Sequence, residues 1–212
     1  CDLDKQLENP YQLTPEQASV EALYNNIQLS FSYIYEDLEL EPGTMTRMYH
    51  SFGWTYRAAT TPETFNGLWG NVYNNMLPDV VALEAIDVEK GNVLNIHVGS
   101  AKIMTAYVLM SMVDIFGEIP YSEALQGISV VSPKLDDGAS VYSAANTMLD
   151  EAIAMLDGTT AATPTFDSFY GGDADKWITA AKTMKMKAAL NTGDLAGFNA
   201  ILTDGDYIST PD

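Results

Sequence analysis

Apolar residues recur three and four positions apart along most of this chain, and no segment shows the convincing two-residue alternation of a strand. Leu23, Ile27, Ser30, Ile34 and Leu38 share one face of a first helix. Thr14 as N-cap, Pro15 at the first position and Glu16 and Gln17 in the first turn should open it. Pro42 and Gly43 should stop it and leave a loop over residues 42–61. Thr61 and Pro62 open a second helix with a stripe of Phe65, Leu68, Trp69, Val72, Tyr73 and Met76, a spacing that places Trp69 and Tyr73 in the core. Pro78 should kink or split that helix, and Gly91 ends its second part. Residues 92–116 are apolar on most sides, which predicts a central helix stopped by Gly117. A polar connection with Pro120, Pro133 and Gly138 follows, then a helix over 140–156 with Val141, Ala144, Ala145, Met148, Ala152, Ile153 and Leu156 as its stripe. Trp177, Ala181, Met184 and Ala188 form a narrow packing seam on a helix over 174–191, and a short helix over 195–202 closes the pattern. The fold class is all-α: an array of antiparallel helix hairpins with long connecting loops, too irregular in spacing for a strict repeat.

At 212 residues, with 47% hydrophobic positions, the chain is long enough to bury a sizeable core. A net charge of -19 repels phosphate backbones, which argues against nucleic acid as a partner, and it also repels anionic lipid surfaces. Lys176, Lys182, Lys185 and Lys187 cluster within three helical turns and read as a solvated helix face. The most apolar stretch, residues 103–113 between Lys102 and Asp114, is too short for a membrane span and reads as a buried helix.

The single cysteine is residue 1. A lone Cys1 closes no internal disulfide, and the polar segment after it offers no core to bury a thiol. A covalent lipid on Cys1, with residues 1–13 as a soluble tether, accounts for it, because each buried methylene adds about 0.8 kcal/mol and two or more chains anchor stably. A start that falls on Cys1 by proteolysis is the alternative.

Three segments carry a family resemblance. "LMSMVDIFGEIPYSEALQG" is followed by "VYSAANTMLDEAIAMLD" and then by "GGDADKWITAAKTMKMKAALNTGD", in that order. Together with the opening "CDLDKQLENPYQLT" they resemble the SusD/RagB family of outer-membrane nutrient-binding lipoproteins of Bacteroidetes, over nearly all 212 residues. The "FGEIPYSEA" turn has a physical logic of its own. Gly117 permits a left-handed helix end, Pro120 holds Ile119 extended, and Tyr121 can fold back on the helix pair.

The resemblance implies tetratricopeptide-like helix hairpins in a single helical domain over residues 1–212. It also implies lipid anchoring through Cys1 at the cell surface, capture of a glycan or peptide, and delivery to a SusC-like TonB-dependent transporter. Family members are usually considerably longer, so this chain is expected to be the N-terminal part of a longer protein. A tetratricopeptide-like scaffold that binds another protein and no small ligand is the rival reading.

The family's N-terminal ligand contacts tend to come from the loop between the first two helices. Here that loop holds Tyr49, His50, Phe52, Trp54 and Tyr56, together with Arg47 and Arg57, both arginines of the chain. Aromatic faces stack on sugar rings and arginine forks onto hydroxyls or carboxylates, so Trp54, Tyr56, Arg57, Tyr49 and His50 are the candidate ligand residues. The alternative is that these aromatics pack the loop onto the helices. His97, in an apolar helix, reads as a core histidine. No His, Cys and carboxylate spacing suggests a metal site, the acids at 171–175 and 204–206 read as turns, and Asp136 and Asp137 read as a chance pair in a loop. No serine lies in a nucleophile elbow, so neither a cofactor nor an enzymatic activity is expected.

Overall fold

The computed structural model describes residues 19–50 and 61–210. Helix α1 spans Val20–Met45. Its N-cap is Ser19, whose Oγ accepts the Ala22 N–H at 3.0 Å; the expected start at Thr14 and Pro15 lies outside the described residues. Its end also differs from expectation, because the helix runs through Pro42 and Gly43. Proline removes one ladder bond, and the ladder resumes when Thr46 N–H donates to Pro42 O at 2.9 Å. The chain then turns back, with Met48 and Tyr49 N–H both donating to Gly43 O.

The second helical region is split, as Pro78 predicts, by a change of winding. A 3₁₀ turn over Pro62–Phe65 leads into α2 (Asn66–Gly70), a π-helical turn over Asn71–Met76, and α3 (Leu77–Glu89). Pro78 crowds the turn before it, and the wider winding relieves the clash. Leu77 N–H accordingly donates to Val72 O, five residues back.

Helix α4 (Asn95–Phe116) is the centre, with buried side chains on every face. It is longer than the apolar stretch read from sequence. By length and composition it could cross a membrane, but 83% of its apolar window is buried inside the protein, which marks a core helix. Helix α5 (Gly138–Leu156) lies along it in the most extensive contact of the fold, and α1, α3 and α6 (Ala174–Thr192) complete its surround. The approach of α4 to α5 is close enough that a β-carbon on Gly99 would stand 2.9 Å from Leu156 Cγ. Helix α7 (Leu195–Asp204) pairs with α6. Among the described residues the only strand-like pairing is the isolated bridge of Ile119 with Asp136.

The core stripes match the periodicity: Ile27, Ile34, Leu68, Val72, Val141, Ala145, Ala152, Trp177 and Ala181 are buried. Trp69 and Tyr73 depart from it and remain only half-buried. Three of the four clustered lysines are paired rather than merely solvated: Lys182 with Asp204 and Asp206, Lys185 with Asp150, and Lys187 with Asp114. His97 is a core histidine, 2% exposed, with Nε2 3.1 Å from Glu21 Oε1. Burial pushes the Glu21 carboxyl up, but hydrogen bonds from His97 and the Thr165 N–H outweigh it and hold Glu21 below the ordinary glutamate value.

Candidate functional site

The connection between α4 and α5 folds back over α2 and the π turn, and it builds the site. Gly117 ends α4 with φ +80, and Ile119 pairs with Asp136 across the connection. Asp136 then holds the turn. Its Oδ2 accepts the N–H groups of Tyr121 (3.0 Å) and Ser122 (2.7 Å), and its Oδ1 accepts the Ser122 hydroxyl. The next residue, Asp137, caps α5 by accepting the Ser140 N–H. The two acids read from sequence as a chance pair therefore carry separate structural tasks. The Tyr73 hydroxyl reaches the same turn and donates to Pro120 O at 2.7 Å.

The hydrogen bonds from Ser122 hold the Asp136 carboxyl below the ordinary aspartate value of 3.8. A carboxyl depressed in the folded state stabilises fully above its unfolded pKa, and that stabilisation is lost as pH falls through the lower folded value. The stability difference between the parent and Asp136→Asn should therefore be largest near neutral pH and shrink below pH 3.8. Denaturant titrations at a series of pH values measure it. A difference that stays constant into acid would assign the effect to another group.

Two cavities flank the returning connection. The first, about 590 Å³, is lined by Asn66, Trp69, Tyr73 and Asn74 on one side and by Pro120, Val130 and Pro133 on the other. Trp69 and Tyr73 stack with ring centroids 5.4 Å apart and an interplanar angle of 13°, and Phe116 packs against Trp69 at 4.9 Å, tilted by 47°. The result is a rigid aromatic platform beside two exposed amide side chains, with proline walls opposite. Such a surface holds a flat apolar face by dispersion and offers hydrogen bonds to hydroxyls at its edge. Burial pushes the Tyr73 phenol well above the ordinary tyrosine value, and the Asp136 charge adds to this, so Tyr73 stays a neutral donor.

The second cavity, about 420 Å³, lies between α3, α4 and the same connection. Ala124 and Leu125 line both cavities and form the rim they share. Leu125 adopts φ +64, a left-handed conformation that costs a non-glycine residue on the order of 1 kcal/mol, and its side chain is exposed on the rim. In the second cavity Lys102 Nζ lies 2.9 Å from Glu84 Oε1 and 2.9 Å from Glu151 Oε2. Burial works against the Lys102 charge, but the bonds to Glu151 and Glu84 outweigh it and hold its pKa above the ordinary lysine value.

Of the residues singled out from sequence, Cys1, Trp54, Tyr56 and Arg57 lie outside the described residues, as do the tether of residues 1–13 and Phe52. Tyr49 is described. Its ring lies over Gly43, and its hydroxyl donates to Glu39 at 2.6 Å, so much of its bonding is within α1. His50 is exposed beside it. The platform residues Trp69 and Tyr73 were missed as a site because they occupy the same helical stripe as Leu68, Val72 and Met76. The signal that separates them is the pair of asparagines, Asn66 and Asn74, flanking the aromatic pair in sequence. Among the described residues no group of three or more His, Cys, Asp or Glu side chains could hold a metal ion.

A family model for SusD-like proteins, described as starch-binding and associating with the outer membrane, matches residues 12–202. Among solved structures, a chitin-binding protein is 25% identical, with a TM-score of 0.72 over 90% of this chain and 43% of its own. A SusD/RagB family protein from Bacteroides thetaiotaomicron is 21% identical, with a TM-score of 0.67 over 91% of this chain and 43% of its own. A SusD homolog from Bacteroides vulgatus is 16% identical, with a TM-score of 0.70 over 89% of this chain and 43% of its own. The chain thus spans less than half the length of these solved proteins. No curated protein matches.

Proposed function

Because this chain belongs to the SusD-like family, whose description is starch-binding and associating with the outer membrane, we propose that it is a surface-exposed, lipid-anchored binding protein that captures a neutral glycan and passes it to a SusC-like TonB-dependent transporter. The observation that carries the ligand class is the stacked Trp69 and Tyr73 pair on an open cavity edged by Asn66 and Asn74. Sugar rings present an apolar face ringed by hydroxyls, which is the complement of that surface. The net charge of -19 favours neutral glycans over uronic or sulfated ones, since like charge opposes the approach of a polyanion. Capture on this surface needs no bond to be broken, so the protein binds and does not turn over its ligand. The outer-membrane association would be made through a lipid on Cys1, with residues 1–13 as the tether. Tyr49, His50, Trp54, Tyr56 and Arg57 belong to the same proposal as a second set of contacts, supported by the chemistry of aromatic stacking. Peptide is the other ligand class this surface could hold.

Calorimetric titration with neutral oligosaccharides, α- and β-linked, tests the reading. Trp69→Ala should weaken binding about tenfold or more, because truncating a central aromatic anchor typically removes over 1 kcal/mol. The far-UV spectrum should be unchanged, since Trp69 is half-buried at the cavity and lies outside the deep core. If the parent binds no glycan but retains a protein partner, the scaffold reading takes its place. Trp54→Ala and Tyr56→Ala test the loop in the same titration.

A further inference from the structure

The second cavity is a subsite of its own, and its chemistry is narrower than that of the aromatic platform. Its walls are the aliphatic side chains of Leu77, Val80, Val81 and Met148. Its polar groups are nearly all committed within the protein. The Thr105 hydroxyl donates to Ala101 O at 2.8 Å, and the Ser122 hydroxyl donates to Asp136. The exceptions are Lys102 and the hydroxyl of Tyr121, which also lines the cavity. An ammonium carries three N–H groups, and two of them go to Glu84 and Glu151. One N–H is left for a ligand. The triad of one lysine and two glutamates is net negative, so it rejects a carboxylate or a sulfate while still offering a strong donor. A group that satisfies this cavity is neutral, has an apolar end for the aliphatic walls, and has a carbonyl oxygen for the remaining Lys102 N–H.

An acylamino substituent on a sugar has those parts. The neighbouring cavity, across the Leu125 rim, is the aromatic platform on which a sugar ring stacks. Resting on the glycan-binding reading above, we propose that the cavity between α3, α4 and the connection is a second subsite that takes the N-acyl group of an amino sugar, so that the preferred ligand is an oligosaccharide containing N-acetylated hexosamine. The shared rim of Ala124 and Leu125 places the two subsites side by side along one chain of sugars. An apolar peptide would offer a methyl-bearing side chain and a carbonyl too. The stacked Trp69 and Tyr73 next door favour the sugar.

The test uses β-1,4-linked tetramers that differ only at the second carbon of each ring: the N-acetylglucosamine tetramer, its fully deacetylated form, and the glucose tetramer. Affinities are measured by calorimetry for the parent, for Val81→Trp and for Trp69→Ala. Val81 is half exposed at the cavity, so a larger side chain there fills the cavity without entering the core. The acetylated tetramer should bind the parent about tenfold tighter than the glucose tetramer, the scale of discrimination a fitted apolar pocket supplies for a small group. Val81→Trp should erase that preference by bringing the acetylated tetramer down to the affinity of the glucose tetramer. Trp69→Ala should weaken both tetramers alike, which reports on the glycan-binding reading separately. Equal affinity of the parent for the acetylated and glucose tetramers overturns the subsite, and so does a preference that survives Val81→Trp or one that favours the deacetylated form. If an N-acetylated leucine peptide binds and loses affinity in Val81→Trp while neither tetramer does, the cavity is a peptide site and the proposal fails. If no tetramer binds the parent at all, the subsite falls together with the reading it rests on.

Discussion

Asp167→Ala should lower the free energy of unfolding by about 3 kcal/mol or more, the largest stability effect expected of any polar substitution among the described residues. Asp167 is 8% exposed and accepts four hydrogen bonds: from the N–H groups of Phe169 (3.0 Å), Tyr170 (3.3 Å) and Gly172 (2.9 Å), and from Trp177 Nε1 (2.7 Å). One carboxylate therefore closes the loop before α6 and fixes the first turn of that helix to it. Removing the carboxylate strands several donors, and each buried orphan costs about 1–3 kcal/mol, reduced where water can enter. The same loop is held from the other side by Gln28, whose Oε1 accepts the Ser168 N–H and whose Nε2 donates to Phe166 O. Loss of Asp167 should consequently loosen α1 from α6 as well. Trp177→Phe removes a single donor and keeps most of the packing, so it should cost only about 1 kcal/mol. Denaturant unfolding followed by circular dichroism measures both. A loss below that of Trp177→Phe would show that the loop is held by packing and not by its carboxylate.

Gly138→Ala should cost about 2 kcal/mol and also weaken ligand binding. A β-carbon there would stand 2.8 Å from Gly117 O and 2.8 Å from Val113 Cγ1. The first of these is main chain at the end of α4 and cannot rotate away, so the start of α5 must move. Asp136 and Asp137 lie immediately before it, and with them go the bonds that hold Tyr121 and Ser122 and the wall of the aromatic cavity. The expected result is a joint loss of stability and of glycan affinity from a methyl group that touches no ligand. Gly91→Ala is the control. Its surroundings are open, but its φ is +86, so it should lose about 1 kcal/mol through backbone strain and leave binding intact. Equal binding by both variants would mean that the turn does not position the site.

Much of the fold was legible before any coordinates. The 3.6-residue stripes placed Ile27, Ile34, Val141, Ala145 and Trp177 in the core because burial follows helical periodicity directly. Gly117 and Pro78 marked a stop and a break because glycine and proline act on the local backbone. Pro42 misled for a related reason. A proline in the last turns of a helix removes one bond, and whether the helix goes on depends on the residues after it, here Thr46 bonding back to Pro42 O. The site was far less legible. Trp69 and Tyr73 share their stripe with Leu68 and Val72, and periodicity cannot tell a face covered by another helix from one that borders a cavity.

The sequence alone determined the helix-hairpin architecture, the central place of the apolar helix, the family resemblance carried by the "FGEIPY" turn, and a net charge of -19 that opposes the approach of polyanions. Each of these depends on residues close together in the chain or on a sum over all of them. Tertiary structure decided the rest. It brought the connection after α4 back over α2, gave Asp136 and Asp137 their tasks, paired the lysines of α6, and set Lys102 between two glutamates from different helices. Those contacts join residues tens of positions apart, whose meeting depends on how whole helices pack, and no local pattern encodes that.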